Sequence, residues 1–174
     1  MKYFKQETNY TCGPACVRMM LSKFGIESYE KDLEQLLETT NYSGTTYDSF
    51  NKLAPKFGLT IMKGEGKANM ETLNDLQSLI KEGWVVIIAY TIEVPHYSIM
   101  LEHNGNHLFL MDPFRGERVA EQLRKFPHMW KIIPEDFNHI PLIKINPSLK
   151  SKGWWIAFNK NKDENKIEND KVEA

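Results

Sequence analysis

The stretch that decides the fold is Gln6-Glu7-Thr8-Asn9-Tyr10-Thr11-Cys12-Gly13-Pro14-Ala15-Cys16, in which a glutamine lies six positions before a cysteine at the predicted start of a helix. Thr11 is the predicted N-cap, and Pro14 suits the first helical turn because the N–H that it lacks has no partner there. A helix N-terminus favours the thiolate form of a cysteine. We therefore predict that Cys12 is a reactive thiol, with Gly13 leaving room beside the sulfur for a substrate backbone.

Taken alone, a cysteine near a helix start is more often a small buried hydrophobe than a nucleophile. The presence of a glutamine, a histidine and an aspartate at suitable positions in the same chain favours the interpretation of Cys12 as a nucleophile. Cys16 lies one helical turn further on and is interpreted as core packing. Because the 174 residues contain only two cysteines, we expect no disulfide framework, and a reducing cytoplasm is the predicted compartment.

A base and its partner are predicted from Val94-Pro95-His96-Tyr97-Ser98 and Leu110-Met111-Asp112-Pro113. Two apolar strands flank the hairpin signal Asn104-Gly105-Asn106. His96 precedes Gly105 by nine residues and Asp112 follows it by seven, so the two side chains should meet at one end of the hairpin, two residues out of register. Histidine can take and return a proton near neutral pH, and a carboxylate can fix its tautomer. An Asp-Pro step is also an ordinary turn former.

Attack on an amide carbonyl places negative charge on the oxygen, and hydrogen-bond donors aimed at it contribute a few kcal/mol. The Cys12 backbone N–H at the helix start is one predicted donor. The Gln6 side-chain amide is the other, because a five-residue loop (7–11) can fold it back beside the sulfur. A plain surface glutamine is the alternative interpretation. His103 and His107 flank the hairpin turn and are expected to be exposed.

Hydrophobic periodicity and turn signals predict helices first and antiparallel strands second, which is an α+β fold. Helices are predicted over 12–24, 29–38, 47–57, 70–81 and 117–125, a helical turn over 134–137, and strands over 59–62, 84–90, 96–103, 107–111 and 153–158. The predicted organisation is one domain over residues 1–159 and a charged tail over 160–174. This tail has nine charged side chains in fifteen residues and is expected to be disordered.

Composition excludes several classes of function. The net charge of −1 gives no general attraction to nucleic acid, and the basic, aromatic stretch 114–131 is interpreted as a solvated rim or peptide groove. No apolar run is long enough for membrane insertion. The spacing of His103 and His107 around Asn-Gly-Asn does not fit a zinc helix. No metal or organic cofactor is expected.

The motifs Tyr10-Thr11-Cys12-Gly13-Pro14-Ala15-Cys16, His96-Tyr97-Ser98-Ile99-Met100 and Asp112-Pro113 resemble, in this order, the papain-like bacteriocin-processing peptidases. The resemblance implies a papain-like fold with N-terminal helices packed on an antiparallel sheet. It implies the roles of oxyanion donor, nucleophile, base and acid for Gln6, Cys12, His96 and Asp112. That family removes leader peptides after a Gly-Gly pair, often as a domain of an export transporter. Thr11 departs from the acidic residue that many members have before the nucleophile.

The sequence therefore predicts a cysteine peptidase with a Cys-His-Asp triad, acting on a peptide or protein such as a leader peptide or another Gly-containing peptide. Two alternatives stay open at this point. The first is a papain-like acyl or peptidyl transferase that ends the thioester with an amine or a thiol. The second is a catalytically idle module that binds a Gly-rich peptide in the same groove. The sequence predicts neither the substrate sequence nor the oligomeric state.

Overall fold

Most of the helices lie in the N-terminal half of the chain and most of the strands follow them, in a computed structural model that describes residues 1–67, 69–130 and 152–160. The helices are α1 (Cys12–Lys23), α2 (Glu30–Leu36), a 3₁₀ turn (Asp48–Lys52) that continues into α3 (Leu53–Phe57), α4 (Met70–Lys81) and α5 (Phe126–Met129). The four helices predicted over 12–24, 29–38, 47–57 and 70–81 are confirmed. The third begins as a tighter 3₁₀ turn and ends at Gly58, which has a φ of 62°.

The strands form one antiparallel sheet of six strands in the order β1-β6-β2-β3-β4-β5. They are β1 (Leu59–Lys67), β2 (Val85–Thr91), β3 (Pro95–His103), β4 (His107–Asp112), β5 (Gly116–Gln122) and β6 (Lys152–Lys160). All five predicted strands are present. The first and last are longer than predicted because they pair with each other from Leu59↔Lys160 to Lys67↔Lys152, and backbone pairing extends them beyond their apolar residues.

The helix predicted over 117–125 is wrong. Residues Gly116–Gln122 form β5, which pairs with β4 at the edge of the sheet. Val119 and Leu123 are four residues apart, as on one face of a helix, but Val119 instead lies opposite Leu110. The helix propensity of this segment is weak, and backbone hydrogen bonds to the neighbouring strand outweigh it.

Both faces of the central strand β2 are covered, which explains its unbroken apolar sequence. Val85, Ile87 and Ala89 face a core that also contains the buried residues of α1. Val86 and Ile88 face a second core with residues of α4. The fold is thus α+β, with α1 to α3 on one face of the sheet and α4 on the other, and α1 packs directly against β3. This contact positions the N-terminus of α1 relative to His96.

Within the described residues, none of the helices has both the length and the apolar character that crossing a bilayer requires. The helical turn predicted over 134–137 lies outside the described residues. The same is true of the predicted tail apart from Lys160, which is the last residue of β6.

Candidate active site

The first turn of α1 presents Cys12 at an uncapped helix N-terminus. Thr11 occupies the predicted N-cap position, but its side chain makes no capping hydrogen bond. Its Oγ1 accepts instead from the Thr8 backbone N–H at 3.1 Å. The first turn contains no acidic residue, so no carboxylate competes with a thiolate for the positive end of the helix dipole. The Cys12 side chain is buried except for 8% of its surface.

The prediction that Gly13 leaves space for a substrate is wrong. A Cβ built on Gly13 would lie 2.4 Å from Thr45 Oγ1 and 2.8 Å from Thr45 Cβ. Thr45 is itself held by a 2.7 Å hydrogen bond between its hydroxyl and that of Thr39. The glycine is therefore required because the start of α1 packs closely against Thr45.

His96 lies between Asp112 and Cys12. Its Nε2 is 2.9 Å from Asp112 Oδ1. Burial disfavours the imidazolium, but hydrogen bonds to Asp112 and Cys12 outweigh this cost and raise the pKa of His96 to about 9. Because Nε2 donates to Asp112, Nδ1 is the nitrogen left to share a proton with the thiol. Strands β3 and β4 pair at Ile99↔Met111, which places Asp112 two residues out of register with His96, as the hairpin spacing predicts.

Asp112 is fully buried, and five hydrogen bonds converge on its carboxylate. Oδ1 accepts from His96 and from the backbone N–H groups of Phe114 and Arg115, at 2.8 to 2.9 Å. Oδ2 accepts from the Tyr90 hydroxyl and from Arg115 Nε, both at 2.7 Å. Burial opposes the charged form, but the hydrogen bonds, first the one with His96, hold the pKa of Asp112 well below its usual range. The residue shapes the turn and also orients the imidazole.

Sequence reasoning missed the roles of Tyr90 and Arg115 in holding Asp112. The Tyr90 hydroxyl also interacts with Ser98 Oγ at 3.0 Å and accepts from Arg115 Nη2 at 2.8 Å. Burial, and then the charge of Asp112, raises the pKa of Tyr90, so it stays a hydrogen-bond donor. The positions of both residues could have indicated these roles. Tyr90 pairs with His96 across the short β2–β3 connection, and Arg115 follows Asp112 by only three residues. In the sequence, Arg115 stands out only as part of the basic stretch 114–131.

Gln6 is half-buried beside the start of α1. Its Nε2 donates to the Thr8 carbonyl at 2.6 Å, and none of the hydrogen bonds of the described residues joins it to Cys12. A primary amide has two N–H donors, and the second one has no acceptor among the described residues. The backbone N–H of Gln6 donates to the Pro113 carbonyl at 2.9 Å. Gln6 is thereby attached to the turn that carries Asp112.

Cys16 is fully buried in the core, and burial, followed by the nearby Cys12, raises its pKa well above the ordinary value. The expected exposure of His103 and His107 is wrong, because both are half-buried. Both ring nitrogens of His103 are buried without a hydrogen-bond partner among the described residues. The position of His103 against α4 explains its burial, since its backbone N–H donates to Gln77 Oε1 at 2.6 Å.

No set of three or more His, Cys, Asp or Glu side chains in the described part of the chain is arranged to hold a metal.

The sequence profile of the peptidase C39 family matches residues 1–133. The chain therefore belongs to the peptidase C39 family, in agreement with its resemblance to bacteriocin-processing peptidases. An uncharacterised protein of Methanothermobacter thermautotrophicus is 31% identical over 117 residues, which are 67% of this chain and 75% of that protein. The lactococcin-G-processing and transport ATP-binding protein LagD of Lactococcus lactis is 26% identical over 132 residues, which are 74% of this chain but only 18% of LagD.

Solved structures of peptidase domains share this fold. The peptidase domain of Streptococcus ComA, a bifunctional ABC transporter, matches with a TM-score of 0.63 at 18% identity, covering 92% of this chain and all of that one. A double glycine motif protease from an AMS/PCAT transporter, solved with its leader peptide, matches with a TM-score of 0.65 at 16% identity, covering 92% and 91%. The papain-like α+β fold predicted from the sequence is thus confirmed.

Proposed function

We propose that this chain is a cysteine peptidase in which Cys12 is the nucleophile, His96 the base and acid, Asp112 the orienting carboxylate and Gln6 an oxyanion donor. The observation that carries the proposal is the position of the His96 imidazole, which hydrogen-bonds Asp112 at 2.9 Å and interacts with the Cys12 thiol. Membership of the peptidase C39 family supports the same chemistry.

The first half of the reaction forms a thioester. The imidazole of His96 carries the thiol proton, and the Cys12 sulfur attacks the carbonyl carbon of the scissile peptide bond. The charge that develops on the carbonyl oxygen is stabilised by the Cys12 backbone N–H and the free N–H of Gln6. The imidazolium then gives its proton to the leaving amine as the C–N bond breaks. A pKa of about 9 for His96 keeps the imidazole charged and ready to donate at neutral pH.

The second half releases the new carboxyl terminus. His96 is neutral once the amine has left, so it can take a proton from a water that attacks the thioester carbonyl. The same oxyanion donors act again, and the sulfur leaves as the thiolate. Asp112 holds Nε2–H throughout, so Nδ1 always faces the reacting atoms. No proton is left on Asp112, whose pKa lies far below neutral pH.

The substrate that we propose is a peptide cleaved after glycine, as in a double-glycine leader. The solved protease whose title names a double glycine motif and a leader peptide supports this substrate class, as does the bacteriocin-processing name of LagD. Three exposed apolar side chains flank His96 and Asp112 in sequence, namely Ile92, Val94 and Phe114. They offer apolar contact to the substrate residues beside the glycine.

The organisation of the chain fits one peptidase domain over residues 1–159, because β6 closes the sheet between β1 and β2. Cys12 and Cys16 are both free thiols, which fits the reducing cytoplasm predicted from the sequence. Lys160 still pairs with Leu59 in the sheet, so we propose residue 160 rather than 159 as the last residue of this domain.

The test is hydrolysis of acetyl-Gly-Gly-aminomethylcoumarin and of a synthetic peptide with an internal Gly-Gly pair. The parent protein should cleave after the second glycine, Cys12→Ala should have no activity, and Cys16→Ala should retain it. Cleavage that survives Cys12→Ala would overturn the proposal. Two other outcomes would also overturn it in favour of the alternatives: transfer of the acyl group to an added amine without hydrolysis, or peptide binding without turnover by the parent protein.

A further inference from the structure

A buried carboxylate lies under the loop that joins Gln6 to Cys12. Glu30, the first residue of α2, is only 1% exposed, although glutamate is seldom buried without a partner. Its Oε1 accepts from the Glu7 backbone N–H at 2.8 Å. Its Oε2 is buried and has no hydrogen-bond partner among the described residues. Burying a carboxyl here costs stability, which indicates that it holds a partner in place.

The segment 7–11, which we name the oxyanion loop, connects this carboxylate to the Gln6 side chain. The Thr8 carbonyl accepts a hydrogen bond from Gln6 Nε2 at 2.6 Å. The Thr8 N–H and hydroxyl bond to Thr11 Oγ1 at 3.1 and 3.0 Å. Burial raises the pKa of Glu30, while Thr11 and the Glu7 N–H lower it, so Thr11 also lies close to the carboxyl. The Gln6 amide is therefore fixed to a loop that Glu30 holds at the backbone of Glu7.

Other attachments of the oxyanion loop are more exposed. Arg18 pairs with the Glu7 side chain at 3.3 Å, with side chains that are 20% and 60% exposed. The Tyr10 hydroxyl donates to Glu34 Oε1 at 3.0 Å, one turn beyond Glu30 on α2. Ion pairs near the surface contribute about 0–1 kcal/mol. A buried hydrogen bond to a carboxylate holds its partner more firmly, so Glu30 is the main anchor of the loop.

We propose that Glu30 is a positioning residue that fixes the oxyanion loop, and through Thr8 the Gln6 amide, beside Cys12. This inference rests on the proposed peptidase function and names a residue that acts through the oxyanion donor rather than on the thiol. Thr11 contributes to this positioning because its hydroxyl accepts from the Thr8 N–H within the loop instead of capping α1.

The experiment compares two probes of Cys12. Acetyl-glycyl-glycinal, a peptide aldehyde, forms a tetrahedral hemithioacetal that uses the oxyanion donors. Iodoacetamide alkylates the thiolate and forms no oxyanion. Glu30→Leu, of similar size but without an acceptor, should weaken aldehyde binding about 10- to 100-fold, because a displaced oxyanion donor costs this much, and leave the alkylation rate within about twofold. Glu30→Gln keeps an acceptor oxygen and should restore aldehyde binding.

Matched controls separate positioning from folding. Asp32→Leu also replaces a carboxylate of α2 by leucine, at an exposed position outside the contacts that the oxyanion loop makes with described residues, and should leave aldehyde binding unchanged. In a Gln6→Ala background, Glu30→Leu should cause no further loss, because the two residues act as one unit. Thr11→Val removes the hydroxyl that receives the Thr8 N–H and should weaken aldehyde binding in the same direction. It serves as the second variant if Glu30→Leu unfolds at the assay temperature.

Three results would overturn the inference: unchanged aldehyde binding in folded Glu30→Leu or Thr11→Val, equal loss with both probes, or an additive loss in the Gln6→Ala background. Failure of the peptidase proposal has a different signature. In that case the parent protein itself would not hydrolyse the Gly-Gly probes.

Discussion

The backbone N–H of Gln6 donates to the carbonyl oxygen of Pro113 across 2.9 Å. The Tyr3 hydroxyl strengthens the same attachment by donating to the Asp112 carbonyl at 3.2 Å. The N-terminal segment is thereby fixed to the turn that follows β4. Gln6, the proposed oxyanion donor, and Asp112, the proposed orienting carboxylate, are far apart in the sequence. Contacts of the backbone bring them close together.

Replacing Asp112 by asparagine should reduce kcat about 10²- to 10⁴-fold, because the imidazole loses the acceptor that fixes its tautomer. Asp112 also raises the pKa of His96. In the parent protein, activity should fall as the pH rises through about 9, where the imidazolium that protonates the leaving amine is lost. The pH profile of the residual activity of Asp112→Asn should show this limb at lower pH. An unchanged limb would contradict the role of Asp112.

Removal of the Tyr90 hydroxyl should destabilise the fold through Asp112. Tyr90→Phe leaves Asp112 Oδ2 with Arg115 alone and removes the partner of Ser98. A hydrogen bond to a buried charge contributes about 1.5–3 kcal/mol, and we expect a loss of this size in urea unfolding. Arg118→Gln, which breaks an exposed ion pair with Glu102, is the control and should change stability by less than about 1 kcal/mol. Equal effects of both substitutions would contradict the account of the buried network.

The folding stability of the parent protein should depend on the protonation of His96. The pKa of His96 rises from 6.5 to about 9 on folding. The folded state then binds the proton more tightly, so this contribution is complete below the unfolded value and is lost as the pH rises through about 9. The difference in unfolding free energy between parent and His96→Gln should therefore narrow between about pH 7 and pH 10. A constant difference over this range would contradict the raised pKa.

Gly13→Ala should destabilise the protein by about 1–3 kcal/mol, as overpacking of a close contact usually does. The added methyl group would clash with Thr45, at 2.4 Å from its Oγ1. Thr45→Gly removes every atom involved in that clash. In thermal unfolding, Gly13→Ala should therefore cost less in the Thr45→Gly background than in the parent. The same cost in both backgrounds would show that Thr45 is not the reason for the glycine.

The elements with strong apolar periodicity and clear end signals were predictable from the sequence. Helix α4 matches its predicted limits because Asn69 caps it, with its side chain accepting from the Thr72 N–H. The closeness of His96 and Asp112 was also predictable from the hairpin spacing, although a bulge after Met100 in β3 sets the final register. By contrast, β5 was mistaken for a helix because its conformation comes from pairing with β4, which local sequence does not encode.

Contacts between distant parts of the chain account for the rest of what the sequence did not reveal. Gly13 appeared to make room for a substrate because nothing in the sequence places Thr45 against α1. Glu30 and Tyr90 are ordinary members of their own helix and strand. Their contacts with Glu7 and Asp112 exist only once the sheet and the helices have packed together.

The central claim is that Cys12 is held as a reactive thiol by His96, whereas Cys16 is inert. The most direct measurement is competitive alkylation of the folded protein at pH 6 with a limiting amount of iodoacetamide, read by peptide mass spectrometry. We expect modification of Cys12 with little at Cys16, and a large loss of Cys12 modification in His96→Ala. Equal modification of the two cysteines, or no effect of His96→Ala, would contradict the account.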